Sequence, residues 1–101
     1  MASRLDLQSK LEELLDSRNV YYQPPESTTM SYPAIRYDKS RIESRYADGI
    51  KYSNFTRYEI TVIDKRSDND VIQKILELPR SSFDRHYTSN NLHHDVITLY
   101  F

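Results

Sequence analysis

Between Arg57 and Phe101 the sequence changes its hydrophobic period in an order that narrows the fold sharply. RYEITVID alternates with period two, SDNDVIQKILELP returns to a helical period, and SFDRHYTSNN and HDVITLYF alternate again. Strand, helix, strand and strand in one compact stretch predict an α+β domain. The chain stops on Leu99-Tyr100-Phe101, within an apolar strand and without a polar tail. Termini fray unless something ties them down. This end is therefore expected to be a paired strand, closing a complete domain that spans residues 1–101.

The rest of the chain is read outward from that core. In Arg57–Asp64, Tyr58, Ile60 and Val62 fall on one face and Glu59, Thr61 and Ile63 on the other. Ser67 or Asp68 is placed to cap the helix that follows, with Asp70 in its first turn and Val71, Ile72, Ile75 and Leu76 on its buried side. Pro79 stops it. Phe83–Thr88 and Leu92–Phe101 are joined at Ser89-Asn90-Asn91, where asparagine tolerates left-handed backbone, so they form an antiparallel hairpin.

Toward the N-terminus, residues 3–18 predict an amphipathic helix. Leu7, Leu11, Leu14 and Leu15 share one face, Leu5 lies beside it, Ser3 stands at the cap and Asp6 at the capping-box position. Asn19–Gln23 is a short strand or extended exit, ended by Pro24-Pro25. Residues 24–33 form a loop, and Ala34–Tyr37 is a short strand following Pro33. Residues 38–54 are polar and weakly periodic. Asp48-Gly49, set between Tyr46-Ala47 and Ile50-Lys51, signals a tight turn, which predicts an exposed hairpin or long loop. The fold expected is a mixed, mostly antiparallel sheet flanked by two helices, with that hairpin or loop extended from it.

Composition removes several function classes. Only 38% of residues are apolar and 29% are charged, so the core is modest and the chain is of a kind that leans on partners. Nine tyrosines and no tryptophan suit half-buried strand faces and subunit contacts. A net charge of −1 argues against bulk nucleic-acid binding, and the absence of cysteine excludes disulfides and cysteine-based zinc sites. A single glycine excludes phosphate-cradling glycine loops. No segment has the length of a signal peptide or a membrane span, so folding in a cytoplasm is expected, with no membrane association.

No constellation carries catalytic chemistry. His93 and His94 are adjacent in a strand and point to opposite faces, so they do not share an ion easily, and Asp95 faces away from His94. Asp84, Arg85, His86 and Asp95 lie along strands without a nucleophile or cleft, and Ser81 and Ser82 lack an elbow context. The chain is therefore read as a non-enzyme with no cofactor and no metal. Residues 36–57 hold six basic and three acidic side chains, interleaved by Tyr37, Tyr46, Tyr52 and Phe55. Such a segment suits a partner surface, a solvated loop or a nucleic-acid backbone, in that order. The candidate interface residues are Arg41, Arg45, Tyr46, Lys51 and Tyr52.

The segments YYQPPES and YPAIRY, then SRYADGIKYSNFTRYEITVID, then KILELPRSSFDRHYTSNNLHHDVITLYF, form an ordered set. Together they resemble the small neck and tail-completion proteins of long-tailed bacteriophages, the group of tail terminators and head–tail joining proteins. The resemblance covers residues 20–101 and rests on LP, FDRHY and NNLHHDV most of all. It implies a helix-flanked sheet and a homo-oligomer, usually a hexameric ring. That ring would sit in the virion at the head-proximal end of the tail tube, assembled in the host cytoplasm. The partners implied are the tail tube protein and the head connector or neck proteins, with DNA passing through the lumen without specific binding. It implies no catalytic residue. The alternative from another class is a small soluble protein-binding module, distinguished by remaining monomeric.

Overall fold

A computed structural model describes residues 4–25, 27–47 and 50–101, with the side chains of 43–47 and 50–55 outside that description. Its elements are α1 (Arg4–Leu15), β1 (Val20–Tyr22), β2 (Ala34–Ala47), β3 (Ile50–Asp64), α2 (Val71–Leu76), β4 (Ser81–Ser89) and β5 (Leu92–Tyr100). The five strands make one sheet in the order β1-β2-β3-β5-β4, with β1–β2 parallel and every other pairing antiparallel. The chain is α+β, as its periodicity predicts.

Both helices lie on one face of the sheet. Leu7 and Leu11 of α1 and Val71 and Ile75 of α2 join Ile35, Tyr37, Tyr58, Ile60, Val62, Ile97 and Leu99 in one buried cluster. Leu14, Leu15, Ile72 and Leu76 pack on its margin, while Leu5 is 64% exposed and stands off the helix's buried stripe. Tyr37 is fully buried. Its hydroxyl accepts from Arg4 Nη1 at 3.2 Å and donates to Gln8 Oε1. Burial pushes the Tyr37 and Tyr58 phenols above their ordinary ionisation range.

Local chemistry moves the helix ends from where periodicity put them. α1 stops at Leu15, short of residue 18, because Asp16 takes a left-handed conformation (φ 57°). Asp16 N–H then bonds Glu13 O and Ser17 N–H bonds Glu12 O, both at 3.2 Å, which satisfies the last carbonyls in a Schellman closure. The proposed Ser3 cap lies outside the described residues. At α2 neither Ser67 nor Asp68 caps. Asp70 occupies the N-cap position without a side-chain cap bond, and Asn69 Oδ1 accepts the Val71 N–H at 2.9 Å. Asn69 Nδ2 also donates to Asp64 Oδ2 at 2.7 Å, tying the end of β3 to the start of the helix. The helix ends at Leu76, ahead of Pro79.

The largest difference is in how far the strands reach across residues 38–54. Of the expected hairpin or long loop the structure shows the hairpin, with β2 and β3 as two long strands paired from Ala34↔Ile63 to Ala47↔Ile50. The short strand expected at Ala34–Tyr37 continues to Ala47, and the strand expected from Arg57 begins at Ile50. The reason is geometric. β5 covers β3 only from Arg57 to Asp64, so beyond that point β2 and β3 pair with each other alone. Two strands without a third neighbour or a covering helix have no buried side to impose an apolar rhythm. The Asp48-Gly49 turn lies outside the described residues.

Candidate assembly site

The β2–β3 pair projects from the body as a two-stranded arm, giving the molecule extents of 51 × 24 × 23 Å. Its radius of gyration is 14.5 Å, above the ~13 Å of a compact chain of this length. An isolated two-stranded hairpin is marginal in water and gains by packing on something else.

All five candidate interface residues belong to this arm. Arg41 is exposed and pairs in register with Arg57, just past an irregularity between Lys39 and Arg41. Arg45 pairs with Ser53 and Tyr46 with Lys51, so Tyr52 is the extra residue of a bulge. Backbone pairing therefore brings the five onto one ribbon. The side chains of Arg45, Tyr46, Lys51 and Tyr52 lie outside the described residues.

At the arm's root the ribbon is tied to the chain end. Thr56 and Phe101 exchange backbone hydrogen bonds, and the Phe101 side chain packs against the core. On the opposite lateral side of the body, β4 is the sheet edge. Residues 82–89 are exposed, Phe83 and Tyr87 by 48% and 41%, and β4 pairs with β5 alone among the described strands. Such an edge presents unpaired N–H and C=O groups to a further strand.

The sheet face away from the helices has no covering layer among the described residues, yet Ala34, Thr61, Ile63, Val96 and Thr98 on it are buried. Long polar side chains lie over them. Arg36 meets Asp38 at 3.3 Å, and Arg85 meets Asp84 at 2.8 Å and Glu59 at 3.7 Å. Tyr87 stacks on His94 with centroids 4.6 Å apart. Each exposed ion pair is worth little alone. Their combined effect is to screen the apolar floor from water with side-chain stems.

His94 is thus separated from His93, as strand alternation requires. Counting back from the two-residue turn at Asn90-Asn91 (φ 53° and 61°) sets His93 opposite Thr88 and Asp95 opposite His86. His86, His93 and Asp95 consequently share the helix-side face, a grouping that adjacency in sequence conceals. His86 Nδ1 lies 2.7 Å from Asp95 Oδ1, and His86 Nε2 lies 3.4 Å from His93 Nδ1. Among the described residues no group of three His, Cys, Asp or Glu side chains is disposed to hold one ion, and no helix is long and apolar enough to cross a membrane.

No protein-family model matches the chain, and no curated protein is significantly similar to it. The surfaces described above therefore stand on their geometry.

Proposed function

We propose that this chain is a non-catalytic structural subunit that assembles with copies of itself through the projecting β2–β3 arm. The resemblance in its sequence supports a bacteriophage virion as the setting of that assembly, as a ring at the head-proximal end of the tail. There it ends tail-tube growth and joins the tube to the head connector. The observation that carries the reading is the arm: two long strands built beyond the reach of the core, in a segment with a local excess of three positive charges. A ribbon that buries little against its own body is worth its ordering cost when a neighbour covers it. The exposed β4 edge supports the same reading, because it offers a second strand-pairing surface on the far side of the body. Two separated contact surfaces on one chain generate a ring when the rotation between copies closes.

The test is mass measurement of the purified chain alone and with phage tail tubes, followed by imaging of the tubes. A discrete higher oligomer, or a ring at one tube end, is the expected result. A chain that stays monomeric at every concentration and leaves tubes undecorated is instead a small protein-binding module.

A further inference from the structure

We propose that His86 and His93 form a two-histidine chelate for a divalent first-row transition ion such as Zn²⁺ or Ni²⁺. The site lies on the exposed helix-side face of the β4–β5 hairpin, apart from the arm. Three features of its geometry argue for it.

The first is convergence. The ring centroids are 5.4 Å apart while His86 Nε2 and His93 Nδ1 are 3.4 Å apart, so nitrogen-bearing edges, not ring faces, meet. The two ring planes are inclined to each other by 28°.

The second is the span between the two nitrogens. Ligands at zinc–nitrogen distances of about 2.0–2.1 Å and a tetrahedral angle are separated by about 3.3–3.4 Å. The observed 3.4 Å matches that separation. The spacing therefore fits an ion held between the two nitrogens.

The third is orientation. Asp95 is 7% exposed, and its carboxylate accepts from His86 Nδ1 at 2.7 Å. A carboxylate only accepts, so in the neutral ring the proton sits on Nδ1 and Nε2 carries the lone pair that a metal needs. Carboxylate–histidine–metal chains of this kind fix the ring and raise its basicity. His86 is 38% exposed, which leaves room for water to complete the coordination shell.

Titration of the full chain with ZnCl₂ and NiCl₂, followed by calorimetry, is expected to show saturable binding of one ion per chain. Addition of Ni²⁺ should broaden the imidazole resonances of His86 and His93 in NMR spectra and spare those of His94, which faces the other side of the sheet. His86→Ala and His93→Ala should each abolish saturation, while His94→Ala should bind as the parent does. Asp95→Asn should weaken binding by roughly tenfold, the usual effect of losing an orienting partner. Circular dichroism of each variant establishes that it is folded, and His86→Gln replaces His86→Ala if the latter is not. Absence of saturable binding by the parent chain, or saturable binding by the His86 or His93 variant equal to the parent's, overturns the proposal.

Discussion

Thr56 and Phe101 exchange a pair of backbone hydrogen bonds, Phe101 N–H to Thr56 O at 3.0 Å and Thr56 N–H to Phe101 O at 3.3 Å. They meet where β3 leaves the cover of β5 and becomes one side of the arm. The last residue thus extends the β5 ladder one step beyond the assigned strand, at the root of the projection. Tyr100 is held from the other side, its N–H bonding Arg80 O at 3.1 Å. Body and arm share this junction, so the C-terminal residues bear on both.

Removing Leu99-Tyr100-Phe101 should accordingly destabilise the whole domain. Leu99 is 1% exposed and pairs with Tyr58, and Phe101 packs on the same core. The single change Leu99→Ala is expected to cost about 2–5 kcal/mol, or a fall in Tm of several degrees for each kcal/mol. Thermal melts of both variants check this. An unchanged melting temperature after truncation would show that the junction contributes nothing.

Asn69 should prove more important than its place in a polar loop suggests. Asn69→Ala removes the acceptor for Val71 N–H and the donor to Asp64, leaving a half-satisfied carboxylate at a site only 8% exposed. A loss of about 1–3 kcal/mol is expected in urea denaturation. Ser67→Ala and Asp68→Ala should each change stability by less than about 0.5 kcal/mol, because both residues are exposed and α2 is held by Asn69 instead.

Alkaline pH should unfold the chain through its buried phenols. Tyr37 and Tyr58 have their ionisation raised chiefly by burial, whereas in the unfolded chain they ionise near pH ~10. The folded state therefore binds these protons more tightly. Their contribution is fully present below pH ~10 and is lost as pH rises toward the raised folded values. Denaturant midpoints should fall above pH ~10, with Tyr37→Phe declining less steeply. The same variant should lose about 0.5–1.5 kcal/mol at neutral pH with its bonds to Arg4 and Gln8. A midpoint independent of pH across that range would contradict the burial argument.

Charge reversal on the arm should separate folding from assembly. Arg41→Glu with Arg45→Glu is expected to shift the isolated subunit's stability by less than about 0.5 kcal/mol and to weaken ring or tube attachment through like-charge contacts. Under the virion role proposed above, complementing a phage that lacks this protein with the double variant is the measurement. Shortened titre with abnormal tail lengths is expected. Normal tails and normal titre would make the arm a solvated ribbon, and an insoluble variant would make it part of the folding unit.

What the sequence determined by itself was the set of features fixed by burial on one side, together with the Asn90-Asn91 turn. Period-two and helical runs located both helices and the β4–β5 hairpin, and Asn90-Asn91 adopted the left-handed turn their side chains favour. Tyr58, Ile60 and Val62 took the core face because alternation tracks burial wherever a helix covers the strand. Tertiary structure alone decided the length of β2 and β3, since a ribbon without a covered face leaves no apolar rhythm to read. It also decided that both helices lie on the same side and that Asn69, not Ser67 or Asp68, orders α2 through a bond to Asp64 five residues back. The joining of His86, His93 and Asp95 belongs to the same class. Cross-strand register, not proximity along the chain, selects which side chains meet.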